Sequence, residues 1–140
     1  VVGRHMIRKR IHGSIINICS IGGVTALGRG NFPYSVGMGG VAQMTRELST
    51  EWSGRGVRVN ALSPGPLQTI SGRGAGVDEM LGLYEAMAPL GRNVTHDEAG
   101  KCGAFLLSEM SSGITGEIMH LDGGYNIMGS PGRMLERMKA

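Results

Sequence analysis

The chain has 140 residues, 41% of them apolar and 4% aromatic, with 25 glycines, ten methionines and a net charge of +3. That length suits one domain, and that apolar fraction excludes a disordered chain. The glycines follow no collagen repeat, no apolar run reaches the roughly 18 residues of a membrane span, and the charged start lacks the apolar core of a secretory signal.

The basic excess sits mainly in "GRHMIRKR" near the start and "GRMLERMK" near the end. Both read as solvated tails rather than a nucleic-acid surface, since no RNA-binding aromatic motif accompanies them. A chain opening at Val1, with its first methionine at Met6, is expected of a fragment or a truncated product.

"SIINICSI" (14–21) is a nearly continuous, Ile-rich apolar run, which predicts a strand buried on both faces of a parallel sheet. "GGVTALGRGNF" (22–32) reads as loop. A helix follows over about 37–53, with Val41, Met44, Leu48 and Trp52 on its inward face. "SGRG" stops it. "VRVNAL" (57–62) predicts a second strand, ended by "SPGP" because proline cannot continue a ladder. Residues 67–76 are rich in Gly and Ser and are expected to be mobile. Met80, Leu81, Leu83, Tyr84 and Met87 give a second helical face, broken by "APLGRN". Thr95 and Glu98 form a T-x-x-E capping box that opens a third helix through about Ser108. Its inward face is Ala99, Cys102, Phe105 and Leu106. "GEIMHL" (116–121) predicts the third strand, "DGG" turns away from it, and the tail from Ser130 reads as polar and frayed.

Strands separated by helices imply an α/β fold: a Rossmann-like parallel sheet of about three strands with flanking helices, in a single domain over 1–140. Ligands of such sheets bind beyond the carboxyl ends of the strands. Those ends are Ser20, the turn Ser63–Pro66, and Asp122 onward, all expected on one edge of the molecule. No repeat and no interdomain linker is visible.

"YSVGMGG" (34–40) puts Tyr34 and Met38 four residues apart, on one helical face. From spacing alone Tyr34 reads either as a packed ring at a helix start or as a donor to an oxygen gaining charge. Ser20 reads as a turn former, and Asp122 likewise. Asn60 is expected to satisfy backbone groups. A helix face of Met80, Leu83, Tyr84 and Met87 suits either plain core or an apolar lid. Cys19 and Cys102 form no C-x-x-C pair and are expected as reduced, buried small hydrophobes of a cytosol-like compartment. His5, His12, His96 and His120 have no metal-binding spacing, so no metal site is expected.

A dinucleotide-binding unit needs a glycine-rich turn between a strand and a helix, and none is present. The glycines of "GGVTALGRG" follow the serine strand and open no helix. The first strand's outer edge is therefore expected to lie open, an aggregation liability.

Four blocks together, "GSIINICS", "YSVGMGGVAQMTRELSTEW", "GVRVNALSPGP" and "ITGEIMHLDGGY", resemble the C-terminal half of a short-chain dehydrogenase/reductase over about residues 12–129. The stretch from "PLGRNVT" through "SSGITGE" to "DGGYNIMG" is similar to the NADH-dependent enoyl-[acyl-carrier-protein] reductases of fatty acid synthesis. The resemblance implies an oxidoreductase using NADH, with NADPH not excluded. It also implies an acyl thioester substrate on acyl carrier protein, a homo-oligomer built through the long helix and last strand, and a cytoplasmic setting without membrane or nucleic acid.

Residue by residue, the resemblance makes Tyr34 and Ser20 catalytic and puts Met38 at the usual lysine. Pro64, Gly65, Pro66 and Leu67 would meet the nicotinamide and Thr69 the pyrophosphate. Ile70, Met80 and Tyr84 fall in the substrate-covering segment. The tyrosine stands four before Met38, as in carbonyl-reducing members. Enoyl reductases of this branch carry it seven before the lysine, a position held by Asn31 here. A reductase of ketones or alcohols, and an inactive fragment serving as an oligomerisation module, are the alternatives.

Overall fold

The computed structural model describes residues 1–70, 76–132 and 135. Of the stretch 67–76 expected to be mobile, residues 71–75 lie outside that set, as does most of the tail.

The chain opens with helix α1, Val2–Lys9. This corrects the reading of the basic start as a tail. Gly3 is buried and pressed against the Trp52 ring, with no room for a Cβ. Met6 lies beneath Gly13 in the same way. Arg8 and Lys9 complement the negative end of the helix dipole. Arg10 then closes the helix in the left-handed region, at φ 53°.

Three strands form one parallel sheet in the order β1-β2-β3: β1 Gly13–Ile18, β2 Val57–Pro64, β3 Ile118–Leu121. The register runs from Gly13↔Val57 to Ile18↔Leu62 and from Ala61↔Ile118 to Pro64↔Leu121. Central β2 is buried along nearly its whole length. β1 is only half-buried, and Ile18 is 64% exposed. The expected burial on both faces fails because β1 stands at the sheet edge, with no second strand neighbour among the described residues.

β2 also runs two residues beyond its predicted end, through Pro64. The amides of Ala61 and Gly65 donate to Glu117 and Leu121 of the β3 side, at 2.8 Å each. Alternation therefore turns position 64 toward β1, which has already ended. A missing N–H is harmless there.

α2 spans Phe32–Trp52, with Pro33 in its first turn, and so begins earlier than expected. Its buried residues are Ala42, Thr45 and Ser49, whereas Met44 is 44% exposed and Val41, Leu48 and Trp52 are half-buried. The large apolar residues are not the inward stripe, because the helix lies too close to its neighbours for them. A Cβ on Gly116 would stand 2.7 Å from the Ser49 hydroxyl, and one on Gly23 2.6 Å from the Met38 carbonyl. Cys19, Ala42, Ala61 and Ile118 form the small-residue core between α2 and the sheet.

α3, Val77–Met87, buries Tyr84 and half-buries Met80, Leu81, Leu83 and Met87 on the expected face. α4, His96–Leu107, begins with the expected capping box: Thr95 Oγ1 accepts from the Glu98 amide at 3.1 Å, and Glu98 accepts from the Thr95 amide at 2.8 Å. Arg92 adds a two-pronged contact to Glu98, at 2.7 and 3.1 Å. These donors, Arg92 foremost, hold the Glu98 carboxyl down at about 2. Leu106 is fully buried, and Ala99, Cys102 and Phe105 are half-buried beside it. No helix among the described residues is long and apolar enough to cross a membrane.

Candidate active site

Parallel pairing brings the three carboxyl ends to one edge, as expected. At the first end Cys19 continues the ladder, donating its amide to Leu62 at 2.8 Å. Ser20 then caps a 3-10 turn, Ile21–Gly23, its hydroxyl accepting from the Gly22 amide at 3.3 Å. That bond occupies a lone pair and leaves the O–H free to donate. Ser20 is thus a turn former that keeps a donor.

The turn is clamped to α2. Gly23 lies flat on the Met38–Gly39 backbone, and the Cys19 thiol reaches the Met38 carbonyl at 3.5 Å. This fixes the first turns of α2 beside Ser20. Tyr34, in the first of them, is 49% exposed, so its ring is not core. Met38 is half-buried and carries no donor or charge.

At the second end, Gly65 of the Pro-Gly-Pro turn is buried between Asp122 and Tyr84. A Cβ there would stand 3.3 Å from the Asp122 Cα and 3.4 Å from the Tyr84 ring. Pro64, Pro66 and Leu67 are half-buried and Thr69 exposed along the same edge. At the third end, buried Asp122 accepts from the amides of Gly124 (3.0 Å) and Asn126 (2.9 Å) and from the Asn126 side chain (3.2 Å). It is the turn organiser that its sequence position suggests.

The Tyr125 ring, held by that turn, stacks on Tyr84 at 3.8 Å and 8°. Burial raises the Tyr84 pKa well above the ordinary phenol value, with Tyr125, Asp122 and Tyr34 pushing the same way and Arg29 opposing. All three tyrosines of the chain therefore gather at this edge.

A cleft of about 150 Å³ opens between the loop after Ser20, α3 and the turn at 125–128. Ile21, Leu27, Met80, Leu83, Met87 and Met128 give it an apolar wall, and Thr25, Arg29 and Asn126 its polar groups. Of the residues in the substrate-covering segment, Met80 lies on this wall. Tyr84 is 2% exposed beneath the stack, and Ile70 is 92% exposed away from the cleft. Sequence reasoning missed Arg29, Asn126 and Met128. The signal available was "GRG", whose glycines both take positive φ and so fix the turn that carries Arg29.

Asn60 is fully buried and satisfies backbone, donating to Ile114 O at 3.0 Å and accepting from the Glu117 amide at 3.1 Å. Cys19 and Cys102 are both free thiols; Cys19 is buried, Cys102 only half-buried. Among the described residues no three His, Cys, Asp or Glu gather as metal ligands do.

A serine closing one parallel strand, a tyrosine in the clamped helix that follows, and a Pro-Gly-Pro turn closing the next strand define a Rossmann-like α/β fragment of the short-chain dehydrogenase/reductase type. The family model described as enoyl-(acyl carrier protein) reductase matches residues 2–126, and the chain belongs to that family. It is 41% identical over 118 residues to the NADH-dependent enoyl-[acyl-carrier-protein] reductase FabI of Nostoc sp., covering 84% of this chain and 45% of that protein. The crystal structure of the Bacillus cereus enoyl-acyl carrier protein reductase with NADP+ and indole naphthyridinone superposes with a TM-score of 0.79 at 34% identity, covering 84% of this chain and 46% of that one. A gluconate 5-dehydrogenase from Burkholderia cenocepacia, in complex with NADP and tartrate, superposes at 0.82 with 33% identity, over 91% of this chain and 49% of that one. The chain spans about half the length of the relatives it matches.

Proposed function

We propose that these residues form the substrate-side half of an enoyl thioester reductase site. One observation carries the reading: Ser20, the helix start that carries Tyr34, and the Pro64–Leu67 turn lie at the sheet edge where a methionine-walled cleft opens beside Ile21. The thioester oxygen gains charge as the double bond is reduced. Tyr34, exposed at the start of α2, would donate a hydrogen bond to it, and Ser20 would assist with the O–H that its turn leaves free. The acyl chain would lie along the methionine wall. The acyl carrier protein named in the family supports a carrier-bound substrate.

The donor group fits this chain only in part. The turn at Pro64–Leu67 suits a nicotinamide, which supplies the hydride when bound. Thr69 stands further along the same edge for the pyrophosphate. Gly23, the glycine best placed to suggest a phosphate cradle, is instead filled by the Met38 backbone. Gly23 therefore offers no cradle for a phosphate, and Met38 gives the ribose no ammonium. NADH is the reading, and the NADP+ of two structural relatives keeps NADPH beside it. Phe32 and Val36, 75% and 69% exposed on α2, support a homo-oligomer.

In calorimetry the chain alone is expected to show no NADH binding. Binding that Met38→Lys tightens would overturn the half-site reading and put a complete nicotinamide site in these residues. Mixed with the amino-terminal half of a relative, the chain is expected to consume NADH with a crotonyl thioester. Consumption with a 3-ketoacyl thioester instead would favour the carbonyl chemistry that the four-residue spacing of Tyr34 and Met38 supports.

A further inference from the structure

Among the described residues Arg29 is the cation that lines the cleft, and nothing in the proposed reduction uses it. It is flanked by Gly28 and Gly30, at φ 63° and 70°, so the loop's course is set by two left-handed residues. Its side chain is only 33% exposed and forms part of the cleft wall. Its ion pair among the described residues is weak: Glu79 lies 3.9 Å away and is 86% exposed. The other acid of that helix turn, Asp78, accepts from the Gln68 side chain at 3.3 Å. A partly covered guanidinium with a poor partner at the wall of this cleft has two or more donors to spare. Its charge is felt inside the site, where it opposes the upward pull of burial on the Tyr84 phenol.

The cavity's size limits what lies beyond it. A cleft of about 150 Å³, open on one side and with polar as well as apolar walls, has room for a group of about six carbons. We infer that the cleft takes an anionic amphiphile, with an apolar group of about six carbons against Met80, Met87 and Met128 and a carboxylate or phosphate on Arg29. The role of the cleft as an acyl site rests on the enoyl thioester reading, whereas the preference for an anion rests on Arg29 alone. A carboxylate would belong to the acyl group itself, and a phosphate to the arm that carries it.

The test is direct binding to the full chain, read by methionine methyl NMR shifts, with hexanoate, hexyl phosphate and hexanamide as probes. At least one anion should bind roughly tenfold more tightly than hexanamide, as a charge-assisted hydrogen bond requires. The tighter of the two anions names the source. Arg29→Gln should erase the preference for anions over hexanamide, and Glu79→Gln should strengthen anion binding by freeing the guanidinium. Equal affinity for anions and hexanamide, or a preference that survives Arg29→Gln, overturns the inference and leaves the enoyl reading standing. If no probe binds, both the inference and the acyl role of the cleft fall. If crotonyl thioester turnover fails but the anion preference holds, only the enoyl reading falls.

Discussion

Asn60 and Ser63 stand three residues apart on β2, both almost fully buried, in opposite circumstances. Around Asn60 every polar group is engaged. Its amide holds Ile114 and Glu117, and neighbouring Arg58 donates to the carbonyls of Leu106, Ser108 and Ile114 at 3.1–3.2 Å. At the carboxyl end the Ser63 hydroxyl has no partner among the described residues, and neither does Nε2 of His120, its register partner on β3. The same strand is thus tied down along its length and under-satisfied at the edge that carries the site. Two of the three unpartnered buried side-chain atoms among the described residues lie where ligands of this fold bind; the third, Asn93 Oδ1, lies in the connection before α4.

The strongest way to break this contrast is Asn60→Ala. It removes the acceptor of the Glu117 amide and one of the two donors to the Ile114 carbonyl, and leaves a void at a fully buried site, so it should cost about 3 kcal/mol in chemical denaturation. A loss under about 1 kcal/mol would mean that water replaces the side chain and that Asn60 is no anchor.

Gly23→Ala comes next. Its Cβ would strike the Met38 backbone, which cannot yield as a side-chain tip could. About 2 kcal/mol should be lost, and the Tyr34 resonances should shift as α2 is pushed from Ser20. Unchanged Tyr34 shifts would show that the clamp does not set the site.

Glu98→Gln sharpens the anchored side. Glutamine can keep the capping box but loses the charge that Arg92 grips. The carboxyl's folded value lies near 2, below its ordinary 4.5, so its contribution is fully present above 4.5 and fades as pH falls toward 2. The variant should melt lower than the parent at neutral pH, with the gap closing between those values. A constant gap would assign the loss to geometry rather than charge. Ser63→Ala, on the other side of the comparison, should change stability by less than about 0.5 kcal/mol, since no bond is lost. A larger drop would reveal a hidden partner.

The parallel strands, the shared carboxyl edge and the capped α4 were legible because each rests on local pattern: Ile-rich runs, turn residues, a T-x-x-E box. The inward face of α2 was not. Periodicity selects the large residues Val41, Met44, Leu48 and Trp52. The close approach of Gly23 and Gly116 instead selects Ala42, Thr45 and Ser49, and that approach belongs to the packing. α1 was hidden for a similar reason, since its apolar contacts are Trp52 and Gly13, far along the chain or past a turn. Ser20, the Pro-Gly-Pro turn and Asp122 could be placed on one edge from sequence, whereas Tyr34 entered through the family resemblance. The cleft could not, because its walls come from three separated segments that meet only in the fold.

The free edge of β1 also leaves a rhythm in the amides. Gly13 and Cys19 donate toward β2, to Gly56 and Leu62 at 3.0 and 2.8 Å, and alternation puts Ile15 and Asn17 with them. Ser14, Ile16 and Ile18 point outward, where no described strand accepts them. In deuterated water, neighbouring residues of this strand should therefore keep two different clocks, slow and fast in turn. A strand added along that edge would bring them to one time.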